Sequence, residues 1–150
     1  MAKIKTDAEL EILRESGKRL GTIMERLKQE VRPGISTGAI DMLAEQLIRD
    51  GGDIPSLKNY CPYGAKIPFP ATVCISINDE IVHGIPKNDR IIEEGDLVSM
   101  DLCLTHEGMV TDMAATVAVG SVPEHVVHLL KETERALFDG IKAARPGGRR

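Results

Sequence analysis

The segment Leu97–Leu104, with the sequence LVSMDLCL, decides the fold prediction. Apolar and polar residues alternate along it, which is the period-2 pattern of a strand with one buried face. The apolar set is Val98, Met100, Leu102 and Leu104, and the polar set is Ser99, Asp101 and Cys103. Turn residues follow at Thr105–Gly108, and β-branched and apolar residues resume over Met109–Val119. The sequence therefore predicts an antiparallel β-hairpin.

Two aspartates, Asp101 and Asp112, lie on the two strands of this hairpin. A four-residue loop pairs Leu104 with Met109, and a two-residue loop pairs Thr105 with Gly108. The two loops give the same register, which places the two carboxylates directly opposite each other. Like charges on directly opposed residues are destabilising, because their Cβ atoms lie only about 4.5–5.5 Å apart. With no Lys or Arg between them, a divalent cation held by carboxylate oxygens is predicted.

Solvated aspartates beside a hairpin are the alternative, because two aspartates at this spacing occur by chance in acidic chains. The position of Asp101 argues for the cation. It lies between Met100 and Leu102 in the middle of a strong strand, and Asp is depleted from strand interiors.

The composition bounds the class of protein. A chain of 150 residues is one domain long and can bury a core. A net charge of −4 and a pI near 5.6 argue against direct binding of nucleic acid or an anionic membrane. Met1–Lys5 leads straight into an amphipathic helix without a signal-peptide pattern, so a cytoplasmic protein is expected. Cys61, Cys74 and Cys103 lack metal-type spacing and are expected to be reduced packing thiols.

Three helices and two further strands are predicted around the hairpin. The helix start signals are Thr6 with Glu9, Ser36 or Thr37, and Ser121 with Glu124. The helix stop signals are Arg32-Pro33-Gly34, Gly51-Gly52 and Arg145-Pro146-Gly147. The strands are Ala71–Ile77 and Glu80–His83.

The recurrence of Arg-Pro-Gly after the first and the third helix has two interpretations. It indicates a complete helix, helix, β unit followed by the start of a second copy. Alternatively, two Pro/Gly helix stops with a favourable basic residue coincide.

Three segments resemble the type I methionine aminopeptidases. They are Ser76–Pro86 (SINDEIVHGIP), Glu94–Asp101 (EGDLVSMD) and Thr111-Asp112. The opening helix, Arg-Pro-Gly and second helix are similar too, so the likeness covers essentially the whole chain. The resemblance implies an α/β protein of α+β type, the first half of a pita-bread fold, with an antiparallel sheet covered by helices. Residues 1–150 would form the N-terminal half and the start of the second half.

The resemblance also implies an activity and its cofactors. The activity is hydrolytic removal of the initiator methionine from nascent polypeptides, including those at the ribosome, with two divalent ions chosen from Co, Mn, Fe, Zn or Ni. Asp101 would bind one ion and Asp112 would bridge both. His83 would hydrogen-bond the substrate backbone as the catalytic histidine without binding metal. The remaining histidines, His106, His125 and His128, are expected to be structural or solvated.

The methionine pocket of the family is lined by aromatic residues and a cysteine. Tyr60, Phe69 and Cys74 match these positions, so they are the expected substrate-binding residues together with His83. The loop Cys61–Pro68 is longer than the usual link, so Tyr63 is an alternative to Tyr60. Simple loop packing is the other explanation for all of them.

The family takes three more ligands, one histidine and two glutamates, from its second half, and no residue of this sequence matches them. We therefore expect the chain alone to bind divalent metal weakly and to turn over little peptide, whereas tight binding of two manganese or cobalt ions in calorimetry would refute this. A half-fold also leaves an apolar surface, so self-association is expected, and a strictly monomeric sedimentation profile would contradict it.

Two other functions remain as alternatives at this point. One is a non-catalytic peptide- or protein-binding module on the same scaffold, which the presence of Asp101, Asp112 and His83 disfavours for the complete ancestral protein but not for this chain alone. The other is a different pita-bread hydrolase such as a proline dipeptidase, which the short N-terminus and the His-Gly-Ile-Pro segment disfavour. Assays of methionine release and of X-Pro cleavage separate the two enzymes.

Overall fold

The structure is a computed structural model and describes residues 4–148. The elements in chain order are α1 (Asp7–Glu30), α2 (Thr37–Asp50), β1 (Ile54–Pro55), β2 (Val73–Ile77), β3 (Leu97–His106), β4 (Met109–Ala118) and α3 (Glu124–Ala143). One compact unit extends to Gly120 and a second begins at Ser121. The antiparallel sheet and its helices give the α+β class that was predicted. No helix among residues 4–148 combines the length and apolarity needed to cross a membrane.

Strand β3 organises the sheet because all three other strands pair with it, each antiparallel. β4 follows it along its whole length, from Leu97↔Ala118 to His106↔Met109. β1 and β2 therefore share its other edge, β2 beside the first half of β3 and β1 beside the end.

The core lies on the apolar face of β3, as the alternation predicted. Val98, Met100, Leu102 and Leu104 are fully buried. They belong to one cluster with apolar residues of α1 and α2, namely Leu20, Ile23, Met24, Leu27, Ile40, Ala44 and Ile48. Those helix residues recur at three- and four-residue steps, so each helix turns one apolar stripe to the sheet. Each fully buried side chain of Leu size stabilises the fold by about 1.5–3 kcal/mol.

The start signals of α1 and α2 are confirmed. Thr6 and Glu9 form both halves of the capping box, and the Ser36 side chain accepts a hydrogen bond from the Ala39 amide at 3.1 Å. The predicted box at α3 is wrong, because the N-cap there is Pro123 rather than Ser121. Its carbonyl accepts the Val126 amide at 2.9 Å, and the fixed φ of proline favours this start.

The predicted strand Glu80–His83 is also wrong. These residues lie in a loop, with Ile81 and Val82 exposed. The Glu80 side chain folds back and accepts the Ile77 amide at 3.0 Å, so the chain turns away at the end of β2 instead of forming a hairpin. Two apolar residues in a row resembled a strand, but no neighbouring strand pairs with them.

The β3–β4 hairpin closes with a two-residue turn, Glu107-Gly108. Both residues have positive φ, 45° and 79°, as a type I′ turn requires. Glycine adopts this conformation freely, whereas a glutamate there is strained. β3 therefore runs two residues beyond the predicted end, to His106.

Replacing Glu107 by asparagine is expected to stabilise the protein, because asparagine tolerates positive φ and Asn-Gly is a preferred type I′ pair. The gain expected is about 1 kcal/mol, seen as a rise in Tm of roughly 2–4 °C. Glu107→Gln is the matched control, since it removes the charge but keeps the unfavourable backbone preference. Equal Tm values for the two variants would contradict the strain assigned to this turn.

Candidate metal centre

The polar face of β3 gathers three side chains that can bind a metal. Asp101 and Cys103 lie on this face, and Asp112 of β4 pairs in register with Cys103. The Cys103 thiol donates to Asp112 Oδ1, with the sulfur 2.6 Å from the oxygen. One donor atom from each residue lies within 4.8 Å of the others. Within residues 4–148 this is the one group of three or more His, Cys, Asp or Glu side chains that converges in this way.

The predicted register of the two aspartates is wrong by two residues. Asp101 faces Ala114, and Asp112 faces Cys103, because the turn lies at Glu107-Gly108 rather than one residue earlier. A shift by two residues keeps every side chain on its face of the sheet. The two carboxylates therefore approach each other diagonally, and the expected charge repulsion remains.

The electrostatics of the group show that repulsion. The pKa of Asp101 is raised, first by burial and then by the charge of Asp112, and the hydrogen bond between the two carboxyl groups acts in the same direction. His83 acts in the opposite direction and lowers the Asp101 pKa, which places the imidazole near this carboxylate.

Asp101 makes the stability of the metal-free chain depend on pH. Its folded-state pKa is above its unfolded value, so the folded state binds more protons and loses stability as the pH rises through the folded pKa. The Asp101→Asn variant lacks this charge. We expect it to lose less stability than the original chain as the pH is raised above the ordinary pKa of an aspartate, about 4, measured by urea unfolding in the presence of a chelator. Parallel pH profiles for the two proteins would contradict this.

Two thiols share the face with the carboxylates. Burial and the hydrogen bond to Asp112 raise the pKa of Cys103 to about 12. Burial and the charges of Asp101 and Asp112 raise the pKa of Cys74, opposite Asp101 in register, to about 11. Without a cation, both thiols are therefore protonated at neutral pH.

The donor set fits a divalent ion. Two carboxylates and a thiol converge from adjacent strands, and the charge of Asp112 adds to the effect of burial in raising the pKa of Asp101. Carboxylate oxygens suit hard cations, whereas a thiolate suits zinc and other softer ions. A cation at this point would relieve the repulsion between Asp101 and Asp112.

His83 lies in the loop that follows β2, exposed and with a positive φ of 58°. The next residue ties this loop to the sheet. The Gly84 carbonyl accepts the Ile75 amide at 2.9 Å, and the Gly84 amide donates to Ser76 Oγ at 3.2 Å. The loop that carries His83 is thus hydrogen-bonded to β2, the strand that pairs with β3 beside Asp101.

Substituting alanine for Gly84 is expected to displace this loop. The added Cβ would lie 2.1 Å from the Ile75 carbonyl oxygen, which is backbone and cannot yield locally. We expect a loss of roughly 1–3 kcal/mol in unfolding free energy and faster hydrogen exchange at the Ile75 amide. Gly17→Ala is the control, since nothing lies within 4 Å of its Cβ position. Slow exchange at Ile75 in the Gly84 variant would refute the tether.

The residues expected to line the methionine pocket differ in their surroundings and exposure. Tyr60 lines a groove of about 580 Å³ together with Cys103, Ile54 and Val110, whereas Tyr63 is fully exposed. Phe69 is joined to Tyr60 through its backbone amide, at 2.8 Å. The structure thus favours Tyr60 over Tyr63 as the aromatic beside the face. Their contact with substrate stays a prediction.

Cys103 is the residue whose role the sequence analysis missed. The sequence indicates a packing thiol here, but the alternation of β3 places Cys103 on the same face as Asp101. His106, expected to be structural, lies outside the group. Its Nδ1 is 2.7 Å from Oδ1 of the buried Asp53, which Arg19 of α1 also approaches at 3.5 Å.

A metal-dependent hydrolase is the class that this face of the sheet indicates. The sequence model of Metallopeptidase family M24 matches residues 11–150, so the chain belongs to that family. Membership implies divalent metal, and the group of Asp101, Cys103 and Asp112 provides donors for it.

Methionine aminopeptidases are among the proteins to which the chain is similar. Those of Clostridium acetobutylicum and Bacillus subtilis are each 39% identical, over 149 and 145 residues, which is 99% and 97% of this chain. The match covers 57% and 56% of those two proteins. The crystal structure of methionine aminopeptidase from Thermotoga maritima superposes with a TM-score of 0.89 at 28% identity, over 97% of this chain and 56% of that one. The pita-bread class is thereby confirmed, and the chain spans about half the length of these relatives.

Proposed function

We propose that the chain provides the aspartate-bearing part of a methionine aminopeptidase, which removes N-terminal methionine from polypeptides by metal-dependent hydrolysis. The observation that carries this proposal is the convergence of Asp101 and Asp112 on one face of the sheet, beside the loop of His83. The relatives named methionine aminopeptidase support the substrate.

The residues have separate roles in this proposal. Asp101 would hold one divalent ion, and Asp112 would help to hold both of the two ions proposed. When bound, a divalent ion lowers the pKa of water and polarises the scissile carbonyl. His83, anchored by its tethered loop, donates a hydrogen bond to the substrate backbone. Tyr60, Phe69 and Cys74 line the methionine side chain, for which polarisable sulfur and aromatic groups are suited.

Neither alternative is favoured by a specific observation. A non-catalytic binding module has no need of two carboxylates that repel each other in the folded state. X-Pro peptidases share the fold at 18–24% identity, whereas relatives that are 34–39% identical carry the name methionine aminopeptidase. We also propose that the protein acts in the cytoplasm on nascent chains.

A chimeric enzyme tests the function. In it, this chain replaces the matched segment of the Bacillus subtilis methionine aminopeptidase 1, which is 39% identical. With manganese or cobalt supplied, we expect the chimera to release methionine from peptides that begin with Met and to leave X-Pro dipeptides intact. A folded, metal-loaded chimera that releases no methionine would overturn the proposal.

A further inference from the structure

Cys103 occupies a position that the proposed roles do not use. Its side chain is half-buried between the two aspartates, directly opposite Asp112 and two residues along β3 from Asp101. Its sulfur is one of the three donor atoms that lie within 4.8 Å of one another. Any ion that touches both carboxylates therefore lies next to this sulfur.

The geometry of the two strands fixes this arrangement. Paired residues on one face of an antiparallel ladder have Cβ atoms about 4.5–5.5 Å apart. An ion bound to the Asp112 carboxylate would therefore lie close to the Cys103 sulfur as well. Cys74 shares the face but stands outside the converging group. The same face therefore offers one thiol inside the site and one beside it.

We propose that Cys103 is a third protein ligand of the metal, binding through its sulfur together with Asp101 and Asp112. This inference rests on the proposed metal centre and deepens it. On coordination, the S–H bond breaks, the proton passes to the solvent, and the sulfur lone pair forms the bond to the ion. A site with two carboxylates and a thiolate favours zinc, cobalt and iron over manganese and magnesium.

The absorption spectrum of bound cobalt shows whether sulfur is a ligand, and it needs no assay of activity. With excess Co²⁺ added to the chain, we expect ligand-field bands in the visible range and a sulfur-to-cobalt charge-transfer band in the near ultraviolet. Cys103→Ser should lose the charge-transfer band, whereas the matched control Cys74→Ala should keep it. Loss of one direct ligand should weaken zinc binding by about 10-fold or more, given that even outer partners contribute 10–100-fold, with a smaller change for manganese.

Each outcome is decisive. Cobalt bound with ligand-field bands but no charge-transfer band would overturn the role of Cys103 and leave the metal centre intact. A band that survives in Cys103→Ser, or disappears in Cys74→Ala, would overturn it as well. Failure of the chain to bind cobalt would overturn both this inference and the proposed centre.

A second measurement guards against a Cys103 variant that fails to fold. In the double variant Cys61→Ala, Cys74→Ala, Cys103 is the one remaining thiol of three. X-ray absorption of its zinc complex should show one sulfur at about 2.3 Å besides oxygens at about 2.0–2.2 Å. A first shell of oxygen and nitrogen alone would contradict the proposal.

Discussion

Replacing Asp112 by alanine is expected to abolish methionine release by the chimeric enzyme and to remove the stabilisation that divalent metal gives to the chain. Asp112 faces Cys103 across the ladder and is the residue of β4 whose carboxylate converges with Asp101 and Cys103, so its loss leaves donors from a single strand. Since metal that binds only the folded state stabilises it in proportion to its affinity, the rise in Tm on adding cobalt should vanish.

Asp89→Ala is the matched control for this prediction, because Asp89 is an exposed aspartate outside the converging group. It should keep both the activity of the chimera and the metal-induced rise in Tm. Retention of the full rise in the Asp112 variant would show that the metal binds elsewhere.

Truncating Leu102 to alanine is expected to cause the largest loss of stability. Leu102 is fully buried at the centre of β3, in the cluster shared with α1 and α2. Leu→Ala changes at such positions cost about 2–5 kcal/mol, a large fraction of the roughly 5–15 kcal/mol that stabilises a typical domain. Urea unfolding should show the change as a lower midpoint.

The same substitution at Leu137, which is 60% exposed on α3, is the control and should leave the midpoint nearly unchanged. Leu102 also separates Asp101 from Cys103 along the strand. We therefore expect the Leu102 variant to bind cobalt more weakly, although the leucine side chain faces the core. An unchanged midpoint would contradict the burial assigned to Leu102.

The sequence predicted which face each residue of β3 takes, because alternation is a local property of the strand. It did not predict the register, which depends on a glutamate, Glu107, in a conformation that glutamate rarely adopts. The prediction of a strand at Glu80–His83 was wrong for a related reason. A strand needs a neighbouring strand to pair with, and an apolar pattern alone does not show whether one is present.

The site was predicted where residue type and motif agree. Charge and spacing indicate Asp101 and Asp112, and family resemblance indicates His83. The structure brings donor atoms of the two aspartates within 4.8 Å of each other, and the binding roles of all three residues stay predictions. Cys103 was missed because a lone cysteine in an apolar strand usually packs. Only the pairing of β3 with β4 shows that its sulfur points at a carboxylate.

The tether at Gly84 has a second consequence, which concerns aggregation. β2 is a short, wholly buried strand with the uncharged sequence Val-Cys-Ile-Ser-Ile, and among residues 4–148 no strand pairs with its outer edge. The Gly84 carbonyl occupies the Ile75 amide on that edge, where an open strand would template pairing with other chains. The loop that carries His83 therefore also blocks one amide of this uncharged edge from pairing with a strand of another chain.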